Sequence, residues 1–142
     1  MRIYVDTSFL ISLYSPDANS VAAARTMQKS QGIHLVSVLG HLEAVNALEL
    51  RVFRKEISPS QAITSLTDFE KDARLGIFQL TPLPEKVFQD ARQLALQTTA
   101  RLGTRSVDLL HVAAAVGLGT GCLYSFDQRQ RKLARTAHLE TN

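Results

Sequence analysis

The sequence predicts an α/β fold: a three-layer α/β/α sandwich around a mostly parallel central sheet. Two observations carry that expectation. Short runs of β-branched and aromatic residues alternate with longer stretches of helical spacing along the whole chain. Connections of that length suit crossovers between parallel strands. In addition, Leu109–Leu118 is apolar almost all round, which places it as a central, buried helix.

Ile3-Tyr4-Val5 reads as a first buried strand. Phe9–Leu13 follows as a short helical turn, broken by Ser15-Pro16-Asp17. A helix is expected from Asn19 to Lys29, stopped by Gly32. Ile33–Ser37 is a second strand. Val38–Leu48 has helical spacing with Leu39, Leu42 and Val45 on one face and Glu43 at its border. Ser58-Pro59-Ser60-Gln61 starts another helix, with Ser as N-cap, Pro at the first helical position and Gln at the third. Its inward residues are expected to be Ile63, Leu66 and Phe69. Ile77–Leu80 is a third strand. Pro82 and Pro84 lead into a helix over Glu85–Thr99 with Val87, Ala91, Leu94 and Ala95 as its stripe. The apolar helix comes next, ended by Gly119 or Gly121. Leu123-Tyr124 is a fourth strand, Gln128–Thr136 a basic helix, and His138–Thr141 a last extended piece.

At 142 residues and 45% hydrophobic, the chain has core enough for one domain spanning residues 1–142. No repeat or linker divides it. The lone Cys122 excludes an internal disulfide and fits a reducing, cytoplasmic setting. No signal peptide is visible and no apolar run reaches membrane-spanning length, so no membrane role is expected. A net charge of +3 permits a polyanionic partner without demanding one.

Four acids interrupt apolar context. Asp6 ends the first strand, Asp127 lies just beyond the fourth, Asp108 opens the most buried helix, and Glu43 rides the helix after the second strand. Asp6 also suits an N-cap, and on that stretch alone the cap and a functional site weigh equally. In a parallel sheet, strand ends and the following helix starts share one edge, so these four can converge. Carboxylates that converge repel one another unless a cation or bound protons neutralise them. An all-oxygen set favours a hard ion, Mg²⁺ or Mn²⁺. Such ions support hydrolysis of phosphodiesters.

Val5-Asp6-Thr7-Ser8-Phe9-Leu10, Glu43, Arg105-Ser106-Val107-Asp108-Leu109-Leu110-His111-Val112-Ala113-Ala114-Ala115 and Tyr124-Ser125-Phe126-Asp127 together resemble PIN-domain proteins, in particular the small VapC-type ribonuclease toxins. The resemblance runs the length of the chain. It implies a PIN-like fold and metal-binding acids at Asp6, Glu43, Asp108 and Asp127, with Ser8 and Ser125 as supporting hydroxyls. Where the family often has Thr, this chain has Ser125, which keeps the hydroxyl. The resemblance further implies an RNA substrate cut to 5′-phosphate and 3′-hydroxyl ends, a homodimer, and a small antitoxin folding over the site. Two other functions suit the same residues: a PIN nuclease of RNA maturation that is no toxin, and a non-catalytic RNA- or partner-binding module.

Lesser signals are weighed beside these. Arg129, Arg131, Lys132 and Arg135 follow Asp127 and suit either phosphate contact or a solvated helix face. Arg105 precedes Asp108 and suits either RNA contact or support of an acid. Arg51, Arg54 and Lys55 read as surface charge. Gly117, Gly119 and Gly121 follow a helix rather than a strand, so they read as a helix stop. The four histidines lack metal-ligand spacing; His111, one turn after Asp108, suits support of an acid from behind but reads first as a packed or interface residue. Ser8 has no histidine–acid pair beside it to activate it as a nucleophile.

Overall fold

The computed structural model describes residues 1–142. In chain order its elements are β1 (Arg2–Val5), α1 (Thr7–Tyr14), α2 (Ser20–Lys29), β2 (Ile33–Ser37), α3 (Val38–Phe53), α4 (Pro59–Arg74), β3 (Phe78–Thr81), α5 (Val87–Leu102), α6 (Ser106–Gly117), β4 (Cys122–Tyr124), α7 (Gln128–Thr136) and β5 (Glu140–Thr141). The strands form one sheet in the order β3-β2-β1-β4-β5, parallel throughout. The expected α/β/α sandwich is borne out.

Alternation along β1 builds the two faces. Ile3 and Val5 point into one core with residues of α1 to α4, and Tyr4 points into the other with residues of α5, α6 and α7. All three strand side chains are buried. No helix is long and apolar enough to cross a membrane.

From β1 the chain moves to β2 and β3 on one side, then returns to β4 and β5 on the other. The order reverses between β1 and β4. Strand ends splay apart at such a point, and ligands of open α/β sheets bind in the crevice that results. Asp6 follows β1 and Ser125-Phe126-Asp127 follows β4, so both motifs meet there.

One helix is rotated from its expected face, and in another Phe69 and Leu66 pack inward as expected while Ile63 does not. On α3 the buried residues are Gly40, Ala44 and Leu48, while Leu42 is 67% exposed. On α4 they are Ala62, Ser65 and Phe69, while Ile63 is 65% exposed. On α3 the small Gly40 and Ala44 occupy much of the contact. At Gly40 an added Cβ would lie 3.6 Å from Val36 and 3.7 Å from the His111 ring. The Ser58 capping box at the start of α4 is present as expected.

Gly32 sets the β1–β2 entry. A Cβ there would stand 2.9 Å from the Met1 carbonyl oxygen and 2.5 Å from Ile3 Cδ1, and that carbonyl accepts the Ile33 N–H at 2.8 Å. Gly32→Ala is therefore expected to destabilise the fold by about 1–3 kcal/mol, read as a lowered midpoint in chemical denaturation with an unchanged slope.

Candidate active site

Asp6, Glu43, Asp108 and Asp127, from four separate stretches of chain, line one pocket of about 460 Å³. Three of them sit at helix N-termini. Asp6 caps α1, its Oδ1 accepting the Phe9 N–H at 3.0 Å. Asp127 caps α7, with Oδ1 accepting from Arg129 N at 2.9 Å and Gln130 N at 3.3 Å. Asp108, in the first turn of α6, accepts the Arg105 N–H at 3.1 Å. The positive ends of three helices thus face the acids and offset part of their repulsion. For Asp6 and Asp127, capping and membership of the acidic cluster coexist in one side chain.

Asp6 is 4% exposed. Burial raises its pKa, against the opposing pull of Ser125, His111, Ser8 and the Phe9 amide. Ser8 Oγ donates to Asp6 Oδ1 at 2.7 Å, accepts the Phe126 N–H at 2.9 Å and lies 3.2 Å from Ser125 Oγ. Ser125 Oγ in turn accepts the Asp127 N–H at 3.0 Å. The two hydroxyls therefore stitch the β1 and β4 motifs together.

Glu43 enters from α3. Its Oε1 accepts from Thr7 Oγ1 at 2.8 Å and pairs with His111 Nε2. Burial alone would raise the Glu43 pKa, but the His111 and Thr7 contacts outweigh it and hold the carboxyl below its ordinary value. Arg105 spans the remaining two acids. Its Nε lies 3.2 Å from Asp108 Oδ2 and its guanidinium 3.3 Å from Asp127 Oδ2.

A family model for the PIN domain matches residues 3–136. The chain belongs to the PIN domain family. Curated protein sequences contain no match. Among solved structures, VapC20 of Mycobacterium tuberculosis, a Sarcin-Ricin loop cleaving toxin, is 20% identical with a TM-score of 0.71, over 92% of this chain and 93% of that one. VapBC2 of Rickettsia felis, bound to a DNA fragment from its promoter, is 15% identical at 0.69, over 100% and 98%. VapBC-1 of nontypeable Haemophilus influenzae is 14% identical at 0.66, over 100% and 97%. At these identities the likeness is one of fold.

The donor set of this PIN domain suits a hard divalent cation, being carboxylate oxygens with hydroxyls beside them and no thiolate. The Gln130 amide borders the same pocket, is 1% exposed, and has neither its oxygen nor its nitrogen hydrogen-bonded. It adds a further oxygen donor. As the side chains stand, no three of the acids close around a single point, and the positive charge between Asp108 and Asp127 is the Arg105 guanidinium. The residue types fit such an ion.

The basic residues divide. Arg129 is exposed. Arg131 donates from Nε to the Ser125 carbonyl at 2.7 Å and lies over the Phe126 ring, so much of it is committed to holding the β4 end. Arg51 and Arg54 were expected as surface charge; Arg54 is exposed and Arg51 half-buried, and both also line the pocket. Arg51 binds Ser15 Oγ at 2.8 Å and Asp17 at 3.6 Å. Their spacing was the available signal, since residues 43, 47, 51 and 54 share one helical face. For His111 both support of an acid and simple packing were expected; it is buried and it touches Glu43. Gln130 carried no signal, because a lone Gln on a basic helix is ordinary.

Asp6→Asn keeps the cap, since Asn and Asp serve equally there, and removes a buried charge. With metal chelated at neutral pH it is expected to stabilise the fold by about 1–3 kcal/mol, several degrees in Tm. The folded pKa of Asp6 is raised, so its contribution is fully present below the ordinary carboxylate range and is lost as pH rises through the raised value. The gain in Asp6→Asn should therefore shrink as pH falls into that range, measured by thermal denaturation followed by circular dichroism.

Proposed function

We propose that this protein is a divalent-metal-dependent endoribonuclease, acting in the cytoplasm as the toxin of a toxin–antitoxin pair. The observation that carries the reading is the gathering of Asp6, Glu43, Asp108 and Asp127 in one pocket at the sheet's switch point. Membership of the PIN family supports it, as does the fold shared with a toxin described as cleaving the Sarcin-Ricin loop and with complexes named VapBC.

Asp6, Asp108 and Asp127 would hold Mg²⁺ or Mn²⁺, and Glu43 would join them or align the attacking water. When bound, the ion would polarise the scissile phosphate and lower the pKa of a water. Ser8 and Ser125 keep the Asp6 carboxylate in place through their hydroxyls. Arg51 and Arg54, on the same pocket wall as Glu43, with Arg129 nearby, offer cations to flanking phosphates, the chemistry that dominates binding to nucleic-acid backbones. Arg105 would release Asp108 and Asp127 on loading and turn to the same phosphates. Exposed Leu42, Phe53 and Ile63 provide apolar surface for a second copy of this chain or for an antitoxin.

Purified protein is expected to cleave single-stranded RNA with Mg²⁺ or Mn²⁺ and to stop on chelation. Asp6→Asn and Asp108→Asn should each lower kcat by at least about a hundredfold while remaining folded. Undiminished cleavage by a folded Asp6→Asn protein would refute the mechanism. Expression should arrest growth, and a protein encoded beside this one should relieve the arrest; active cleavage without arrest would instead identify a housekeeping RNA-processing nuclease.

A further inference from the structure

Behind Glu43 runs a buried polar chain that the proposed mechanism leaves unused. Tyr4 OH lies 2.6 Å from Ser37 Oγ and 2.8 Å from His111 Nδ1, and His111 Nε2 meets Glu43 Oε1. Tyr4 and Ser37 are fully buried and His111 is 3% exposed. The four side chains come from β1, the end of β2, α6 and α3.

Counting hydrogens fixes the direction of this chain. Ser37 Oγ already accepts the Gly40 N–H at 3.1 Å as the cap of α3. Its own hydrogen has one acceptor in reach, the Tyr4 oxygen. Tyr4 must then send its hydrogen to His111 Nδ1. Burial pushes the Tyr4 pKa up, so the phenol keeps that hydrogen. With Nδ1 accepting, the imidazole hydrogen sits on Nε2 and points at Glu43 Oε1. The reverse direction would strand the Ser37 hydrogen in a fully buried site, at a cost of about 1–3 kcal/mol. Thr7 donates to the same Oε1 at 2.8 Å. Both donors therefore hold one oxygen of Glu43, and Oε2 accepts no side-chain or backbone hydrogen bond.

We propose that His111, set by Tyr4 and Ser37 as an Nε2–H donor, is a positioning residue that anchors Glu43 by Oε1 and leaves Oε2 as the working oxygen of the site. The inference deepens the nuclease reading and rests on it for its catalytic consequence. The hydrogen-bond direction stands without that reading. A carboxylate held at one oxygen by two donors cannot turn about its terminal bond, so its second oxygen presents a fixed lone pair to water or ligand. His111 acts through Glu43 and touches no reacting atom.

The test has a spectroscopic arm and a kinetic arm. In metal-free wild-type protein, ¹⁵N NMR of the imidazole should show a pyridine-like Nδ1 and a pyrrole-like Nε2. Tyr4→Phe, which keeps the ring and removes the hydroxyl, should lose that pure signature. In the presence of Mg²⁺, His111→Leu should lower kcat on RNA about 10–100-fold with KM little changed. His111→Gln, whose amide nitrogen can reach as far as Nε2, should recover most of the loss. A pyrrole-like Nδ1 in the wild type overturns the proposal, as does a folded His111→Leu protein with wild-type kcat. If His111→Leu fails to fold, the comparison of Tyr4→Phe and His111→Gln with wild type decides the kinetic arm: a lower kcat in Tyr4→Phe with retention in His111→Gln supports the proposal, and no change in Tyr4→Phe overturns it. Failure of the wild type itself to cleave RNA would sink the nuclease reading and leave the direction of the hydrogen bonds to the spectrum.

Discussion

The cost of placing four carboxylates in one pocket, one of them almost wholly buried, sets the terms for the side chains around them. Four acids share one pocket, and most of what surrounds them serves to make that tolerable. Helix N-termini face Asp6, Asp108 and Asp127. Hydroxyls of Ser8 and Thr7 donate to Asp6 and Glu43. His111 supports Glu43, and Arg105 bridges the other pair. A helix terminus typically contributes about 0.3–1 kcal/mol and a hydrogen bond to a charged group about 1.5–3 kcal/mol.

The sheet topology makes the convergence possible. Asp6 and Asp127 are 121 positions apart in sequence order, yet β1 and β4 are hydrogen-bonded neighbours, and the Asp6 amide continues that ladder to the Tyr124 carbonyl at 3.1 Å. A central strand paired on both sides gives the following loop little freedom. The acids are thus placed by backbone pairing first and refined by side-chain contacts second.

Much of this was legible in the sequence. Alternating strand and helix signals gave the layers, and acids standing at the ends of apolar runs gave Asp6, Asp108 and Asp127 a shared edge. Glu43 was harder, since a Glu on a helix border is usually solvated; its helix face becomes visible only once Ala47, Arg51 and Arg54 are read with it. The rotation of α3 was hidden because large apolar residues carry the stronger signal, whereas close packing against Val36 and His111 favoured Gly40. The Tyr4–His111 contact joins β1 to α6 across 107 positions, and nothing local in either segment announces it.

Arg105 has a consequence of its own. It is carried by the same chain as the acids it bridges, so it competes for them at a local concentration that dilution cannot lower. A cation that seeks Asp108 and Asp127 meets that rival already in place. One side chain therefore sets the charge held between these two carboxylates without altering either of them.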